Sequence, residues 1–419
     1  MRYLVLNRTP LAAGLRFPDW IGADDEAVLL TDTAAVSTDP RERAAQLAGY
    51  VHVEFFDDFH FNPLVESQAV AMHRKWEFDR VLALSEFDIL RAARLREIFS
   101  VPGQDVAGAT AFRDKLEMKR ILSEAGVPLA RYAPVSNLAD LLGFVERNGY
   151  PVVVKPRRGG GSMDVHVLRG EEDIDPLLVA HRDLGTDDGA QLIAEQYVEH
   201  ELLHVDGIVL GGEIRLIWAS TQGDSTCLDI KQGNALHSCL MDPDDPLLAP
   251  AQELTRRALT ALPTPDTSMF HAEVFLTGDG RMVFNEVASR MGGGMIEDVL
   301  KLGFGVFLPE VYVRFLSGHE PLDVPAAPLR IAGLSLFPPR PGTLVEIPEE
   351  CPVPGITEYR RYAEPGAELE LAKLSVEKIG SVLATGDTRE EVETALSDAL
   401  AWFGRSTVIR ASGEADPAS

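Results

Sequence analysis

Residues 271–294 read HAEVFLTGDGRMVFNEVASRMGGG, a β-hairpin carrying two carboxylates, followed by an arginine and three glycines. A two-residue turn at Gly278-Asp279 is what such a dipeptide favours. It pairs Glu273 with Phe284, and Glu286 with His271. Side-chain alternation then puts Glu273 and Glu286 on one sheet face as diagonal neighbours. Cβ atoms so related lie roughly 7 Å apart, near enough for both carboxylates to grip one hard cation. Arg290, four residues beyond Glu286, reaches an anion bound to that cation. A loop longer by one residue would turn one strand over and part the carboxylates. Two readings stay open for the hairpin alone: a metal site, or a solvated acidic face into which Phe275, Met282 and Phe284 intrude.

Composition narrows the field. The 419 residues predict two to four structural units rather than one core, and 45% hydrophobic content is that of an ordinary globular protein. With 39 basic against 65 acidic residues the net charge is −26, which argues against nucleic acid or an anionic membrane as partner. A phosphorylated small ligand stays compatible, since a few local Lys and Arg suffice. Cys227, Cys239 and Cys351 are too few and too scattered for a disulfide framework, and no CxxC pair offers zinc ligands. No signal-like or membrane-length apolar run is present, so a reduced, cytoplasmic protein is expected.

Along the chain, apolar runs at residues 2–6, 27–30, 52–56 and 81–84 alternate with helical patterns at 72–80 and 89–99. That alternation predicts a parallel α/β domain over residues 1–108. An amphipathic helix is expected at 113–125, stopped by Gly126, and another at 138–147. Strands are expected at 150–155, 165–168 and 192–198, and Gly211-Gly212 signals a hairpin. Further helices are expected at 247–261 and after Met295. From Ile331 short strands with Pro-rich turns lead to a helix at 389–403, and the polar end of the chain reads as unstructured.

Between two of these strands lies Lys155-Pro156-Arg157-Arg158-Gly159-Gly160-Gly161-Ser162. Consecutive glycines let backbone N–H groups turn toward an anion, Ser162 adds a hydroxyl, and Lys155 supplies a point charge. The order is not that of a P-loop, because the lysine precedes the glycines. Taken alone, the segment reads more simply as a mobile basic loop. No GxSxG, HExxH or Rossmann GxGxxG is present, and His204-Val205-Asp206 reads as a strand with alternating faces rather than a ligand set.

In order, these pieces resemble the ATP-grasp superfamily and, within it, the carboxylate–amine ligases. Asp114-Lys115 matches its lysine-bearing helix start, VVVKPRRGGGS its strand and glycine flap, and Glu195-Gln196-Tyr197-Val198 its adenine hinge. Glu273, Glu286 and Arg290 match its metal acids and arginine. The resemblance covers residues 109–300. It implies an α/β and α+β protein: an N-terminal α/β domain (1–108), two ATP-clamping subdomains (109–190 and 191–330), a β-rich C-terminal lobe (331–407) and a disordered tail (408–419). It further implies ATP with Mg2+, or Mn2+ in its place. Lys115, Lys155, Arg157, Gly160, Gly161 and Ser162 would meet the phosphates, Glu195, Tyr197 and Val198 the adenine, and Glu201 the ribose. Glu273 and Glu286 would hold the metal, and Arg290 would steady the transferring phosphoryl group.

Two departures stand out. The relatives' GxE after the hinge is here Glu199-His200-Glu201, and their asparagine two residues after the second metal acid is Ala288. The ExxxR form, Glu286 to Arg290, resembles the branch of L-amino acid ligases and dipeptide synthetases. The expected reaction joins a carboxylate to an amine, both small molecules such as amino acids, through an acyl phosphate with release of ADP. The acceptor pocket is expected near residues 291–296 and 229–237, and a homodimer is left open. The alternatives are loading of a carboxylate onto a carrier protein, and nucleotide binding without catalysis.

Overall fold

The computed structural model describes residues 1–11, 15–185, 189–223, 229–320 and 322–411. Cys227 and residues 412–419 of the expected tail lie outside them.

Strands β1 (Arg2–Asn7), β2 (Glu26–Asp32), β3 (His52–Phe56) and β4 (Arg80–Ala83) form a parallel sheet in the order β3-β2-β1-β4. Alternate residues feed two separate cores: Leu4, Leu6, Val28 and Leu30 on one face, Tyr3, Val5, Ala27 and Leu29 on the other. Burial on both faces explains why these strands read as continuous apolar runs. Strand order reverses between β1 and β4, and such switch points leave a crevice at the carboxyl ends of the strands. The chain leaves β4 there, into Ser85, Glu86 and Phe87. The helix expected at 72–80 runs instead over Leu64–Trp76 and stops at Glu77 in the left-handed conformation (φ 48), so that Phe78 can enter the core.

The single helix expected at 113–125 is two, Val106–Arg113 and Lys115–Glu124. Asp114 is extended, and its carboxylate accepts from the N–H groups of Leu116 and Glu117. This N-cap starts a new helix, so Lys115 takes its first position and Lys119 lies one turn on.

Strands β5 (Tyr132–Val135), β6 (Val152–Pro156), β7 (His166–Leu168) and β8 (Leu192–Gln196) form an antiparallel sheet in the order β5-β8-β6-β7. Leu141 and Phe144 of the helix Leu138–Asn148, and Leu177 of Ile174–Ala180, pack on it. The glycine flap links β6 to β7.

The remaining strands are β9 (Glu201–Leu210), β10 (Glu213–Thr221), β11 (Leu236–Leu240), β12 (Ser268–Leu276), β13 (Met282–Ala288), β14 (Ile331–Phe337), β15 (Gly342–Glu346), β16 (Ile356–Arg361), β17 (Glu368–Leu369), β18 (Gly380–Gly386) and β19 (Val408–Arg410). Eight of them make one sheet, β13-β12-β9-β10-β11-β14-β18-β16. This sheet runs unbroken past residue 330, where a separate lobe was expected, because β14 is buried at every position and pairs on both sides, with β11 and β18. Residues 408–410, expected in the tail, form β19 and pair with β15. Among the described residues no helix is long and apolar enough to cross a membrane.

Candidate active site

The hairpin is built differently from its sequence reading. Thr277 and Arg281 close a three-residue loop (Thr277 N–H to Arg281 carbonyl, 2.9 Å) in which Gly280 takes a left-handed φ of 81. Alone, that longer loop would turn Glu286 to the other face. A bulge reverses the effect: Val274 pairs with Phe284 and Glu273 with Glu286, leaving Asn285 as the extra residue. The carboxylates therefore stand directly opposite each other, and the pairings Glu273–Phe284 and Glu286–His271 do not occur.

Asn285 completes this acidic pair. Its amide donates to Glu273 Oε2 (2.9 Å), its carbonyl accepts from Lys119 Nζ (3.1 Å), and its side-chain Oδ1 is buried without a partner.

Three lysines converge on the carboxylates. Lys115 Nζ lies 3.3 Å from Glu286 and 3.2 Å from the Gly159 carbonyl of the flap. Lys155 Nζ lies 3.2 Å from Glu195 and 3.8 Å from Glu286, and Lys119 Nζ 3.4 Å from Glu195. Burial opposes charge on Glu286, but Lys115 and Lys155 outweigh it and hold the carboxyl at about 2. Burial likewise opposes charge on Glu195, and Lys119 and Lys155 keep its carboxyl below the ordinary range. Lys155 loses by burial and gains more from Glu195 and Glu286, so its ammonium is strengthened. Burial wins only at Lys119, whose pKa falls. The result is a fixed array of charges in which Lys155 stays cationic.

Arg290 is held by Glu86, which also grips Arg113; its guanidinium donates as well to the carbonyl of Met291. Burial opposes charge on Glu86, and Arg290 and Arg113 overcome it. On the floor, His204 Nδ1 and His271 Nδ1 meet the two oxygens of Asp206 (2.5 and 2.8 Å), and His204 Nε2 meets Ser238 Oγ (2.6 Å). Alternation along β9 places His204 and Asp206 on the same face. Burial raises the Asp206 pKa, yet the two imidazoles bring it well below the usual range. This network satisfies itself.

These groups surround a cavity of about 280 Å³ between the β5-β8-β6-β7 sheet and the eight-stranded sheet. Lys115, Lys155, Gly160, Gly161, Ser162, Glu195, Tyr197, Val198, Glu273, Glu286 and Arg290 all line it. Arg157 and Glu201 do not. Arg157 turns to Asp114 (2.9 and 2.7 Å), and Glu201 is exposed at the outer end of β9. Glu195 lines the wall with its carboxylate ion-paired to Lys155 and Lys119. Of the expected acceptor segments, Gly293, Gly294, Ile296 and Leu236 reach the cavity.

Glu86, Lys119, Asn285 and His200 belong to the site and were not singled out in the sequence. His200 stacks on Phe275 with ring centroids 3.7 Å apart beside Tyr197 and Val198. Lys119 had a signal, its i+4 spacing from Lys115 on an amphipathic helix. Glu86 had a weaker one, its position just after a parallel strand.

The chain is similar to known proteins over most of its length. Residues 120–294 match the ATP-grasp domain, and residues 335–402 match the L-amino acid ligase C-terminal domain 2. An L-arginine-specific L-amino acid ligase of Bacillus subtilis is 26% identical over 298 residues, 70% of this chain and 71% of that protein. A D-alanine–D-alanine ligase of Bacillus velezensis is 27% identical over 215 residues, 47% of this chain and 58% of that protein. The crystal structure of an L-amino acid ligase from Bacillus licheniformis superposes with a TM-score of 0.76 at 17% identity, covering 99% of both chains. An ATP complex of carboxyaminoimidazole ribonucleotide synthase from Aspergillus clavatus gives 0.68 at 20% identity, covering 98% of this chain and 99% of that one. At those identities the structures show the fold alone.

The matched domains and these relatives mark the chain as an ATP-dependent ligase. The chain carries an ATP-grasp domain and an L-amino acid ligase C-terminal domain 2, and it resembles the L-amino acid ligases.

Proposed function

We infer that the protein joins an amino acid carboxylate to an amine, using ATP and passing through an acyl phosphate, with ADP and phosphate released. The observation that carries this reading is the Glu273–Glu286 pair, set across a bulged hairpin in one cavity with Lys115, Lys155 and Arg290. A nucleotide-only binder needs fewer of these groups.

The donor set fits magnesium: two carboxylates and the unpartnered Asn285 Oδ1 are hard oxygen ligands, equally acceptable to Mn2+. Bound there, the ion would neutralise phosphate charge that otherwise repels an attacking carboxylate. Lys115 and Lys155 would serve as point charges for the phosphates, and the N–H groups of Gly160, Gly161 and Ser162 would cover them from the flap. The apolar slot of Val153, Val165, Val167 and Leu202, with Tyr197 to His200 at its edge, suits a flat base. Arg290, aligned by Glu86, presents a planar fork to the anionic acyl phosphate. Residues 109–190 and 191–330 are then the two halves of the nucleotide clamp.

Leu334, Leu336, Ile296 and Val376 add an apolar stretch to the cavity, beside His204, Ser238 and His271. It suits an amino acid with an uncharged side chain. An acyl phosphate hydrolyses in water, so the flap has to exclude it until the amine attacks. The net charge of −26 supports small molecules, rather than nucleic acid or an anionic membrane, as partners. A screen of amino acid pairs for ADP release, with products read by mass spectrometry, tests the reading. ADP should depend on the carboxylate and amide on both partners. AMP with pyrophosphate, or an acylated carrier protein alone, would overturn it.

A further inference from the structure

A second group of ligand-type side chains lies away from the cavity. Asp164 ends the flap, His166 opens β7, and His181 follows the helix Ile174–Ala180. Val165 and Val167 face the nucleotide cavity, so the strand's alternation turns His166 to the opposite side of the sheet, where that helix packs. His166 Nε2 lies 3.0 Å from Asp164 Oδ1, and His181 Nε2 lies 3.3 Å from Asp164 Oδ2. One ligand atom from each of the three residues falls within a 4.8 Å span. The imidazoles meet edge to face with centroids 5.3 Å apart.

One atom separates this cluster from an ordinary set of His–Asp hydrogen bonds. His181 is 8% exposed, and its Nε2 is buried with no hydrogen-bond partner, Asp164 Oδ2 standing 3.3 Å away. Leaving such a group unsatisfied costs about 1–3 kcal/mol, and it calls for an occupant. Ligands of a tetrahedral ion at about 2.0–2.1 Å stand roughly 3.4 Å apart, near the 3.0 and 3.3 Å between the imidazole Nε2 atoms and the two Asp164 oxygens.

We propose that Asp164, His166 and His181 bind a divalent transition metal of the zinc class, with water at the fourth position. Two imidazole nitrogens and one carboxylate favour Zn2+, Co2+ or Ni2+ over Mg2+. Asp183 lies 3.9 Å from His181 Nδ1 and adds negative charge beside that ring. The ion would tie the far stem of the flap to the small sheet. Both Ser162 (φ 55) and Asp164 (φ 59) hold left-handed backbone conformations there, and a ligand bond would fix the strained Asp164.

The test is titration of the metal-stripped full chain with Co2+ alone, followed by visible absorption. Saturable ligand-field bands of a four-coordinate ion are expected at one equivalent, removed by one equivalent of Zn2+ and resistant to excess Mg2+. Asp164→Asn and His166→Gln, both near the surface, should each weaken binding roughly tenfold or more, while Glu286→Gln leaves it unchanged. His181→Gln should do the same provided its circular dichroism matches wild type. Absence of the bands, unaltered binding in Asp164→Asn and His166→Gln, or loss of binding in Glu286→Gln would overturn the site.

Discussion

Arg290, in the loop after β13, is held by Glu86, which leaves β4 of the N-terminal sheet 204 residues earlier. The arginine proposed to meet the acyl phosphate thus takes its direction from a different sheet from the one that carries it. Glu86→Gln keeps the volume and removes the charge. It should lower kcat at least tenfold, about 1.4 kcal/mol, with little change in ATP affinity. Steady-state kinetics with nucleotide binding measured alongside decides it, and an unchanged kcat would show that Arg290 needs no such alignment.

Glu286 faces both Glu273 and two lysines. Glu286→Gln should abolish ADP formation while circular dichroism shows the fold retained. Wild-type turnover with an unaltered magnesium dependence would remove Glu286 from the metal site.

Lys155→Ala should weaken ATP binding or turnover at least tenfold, about 1.4 kcal/mol, the scale of one charge-assisted contact. Nucleotide should also slow proteolysis at Arg157-Arg158. Equal cleavage with and without ATP would speak against a closing flap.

Asp88, two residues beyond Glu86, is fully buried, and neither of its oxygens has a hydrogen bond. Burial, only partly offset by Arg91 and Arg8, raises its carboxyl from 3.8 to about 6. A raised acid favours folding while it stays protonated. Its contribution is therefore fully present below pH 3.8 and is lost as the pH rises through about 6. Asp88→Asn should accordingly gain in urea midpoint on wild type between pH 4 and pH 7. A gain that shrinks over that interval would contradict the assignment.

How far the sequence reads through to this site depends on the kind of information each residue carries. The buried strands of the first sheet are legible because burial on both faces leaves unbroken apolar runs. Glu273 and Glu286 are legible as partners through parity alone. The loop is one residue longer than a Gly-Asp turn, and the bulge at Asn285 adds one more, so the face survives while the register does not. A bulge has no sequence signature of its own, and Asn285 stayed hidden with it. Lys119 was visible as the i+4 companion of Lys115, but its burial against Glu195 comes from packing between sheets. Glu86 became a site residue only when two distant loops met. The helix break at Asp114 was written in its capping side chain, and a continuous apolar face masked it.

The central claim is that a carboxylate attacks the terminal phosphate of ATP before an amine displaces it. The most direct measurement supplies an amino acid with 18O in its carboxylate, together with ATP and an amine partner, and follows the label by mass spectrometry. Transfer of one 18O atom into orthophosphate for each amide formed is the predicted result, with ADP in equal amount. Label in AMP, or its complete retention in the product and remaining substrate, would contradict the account.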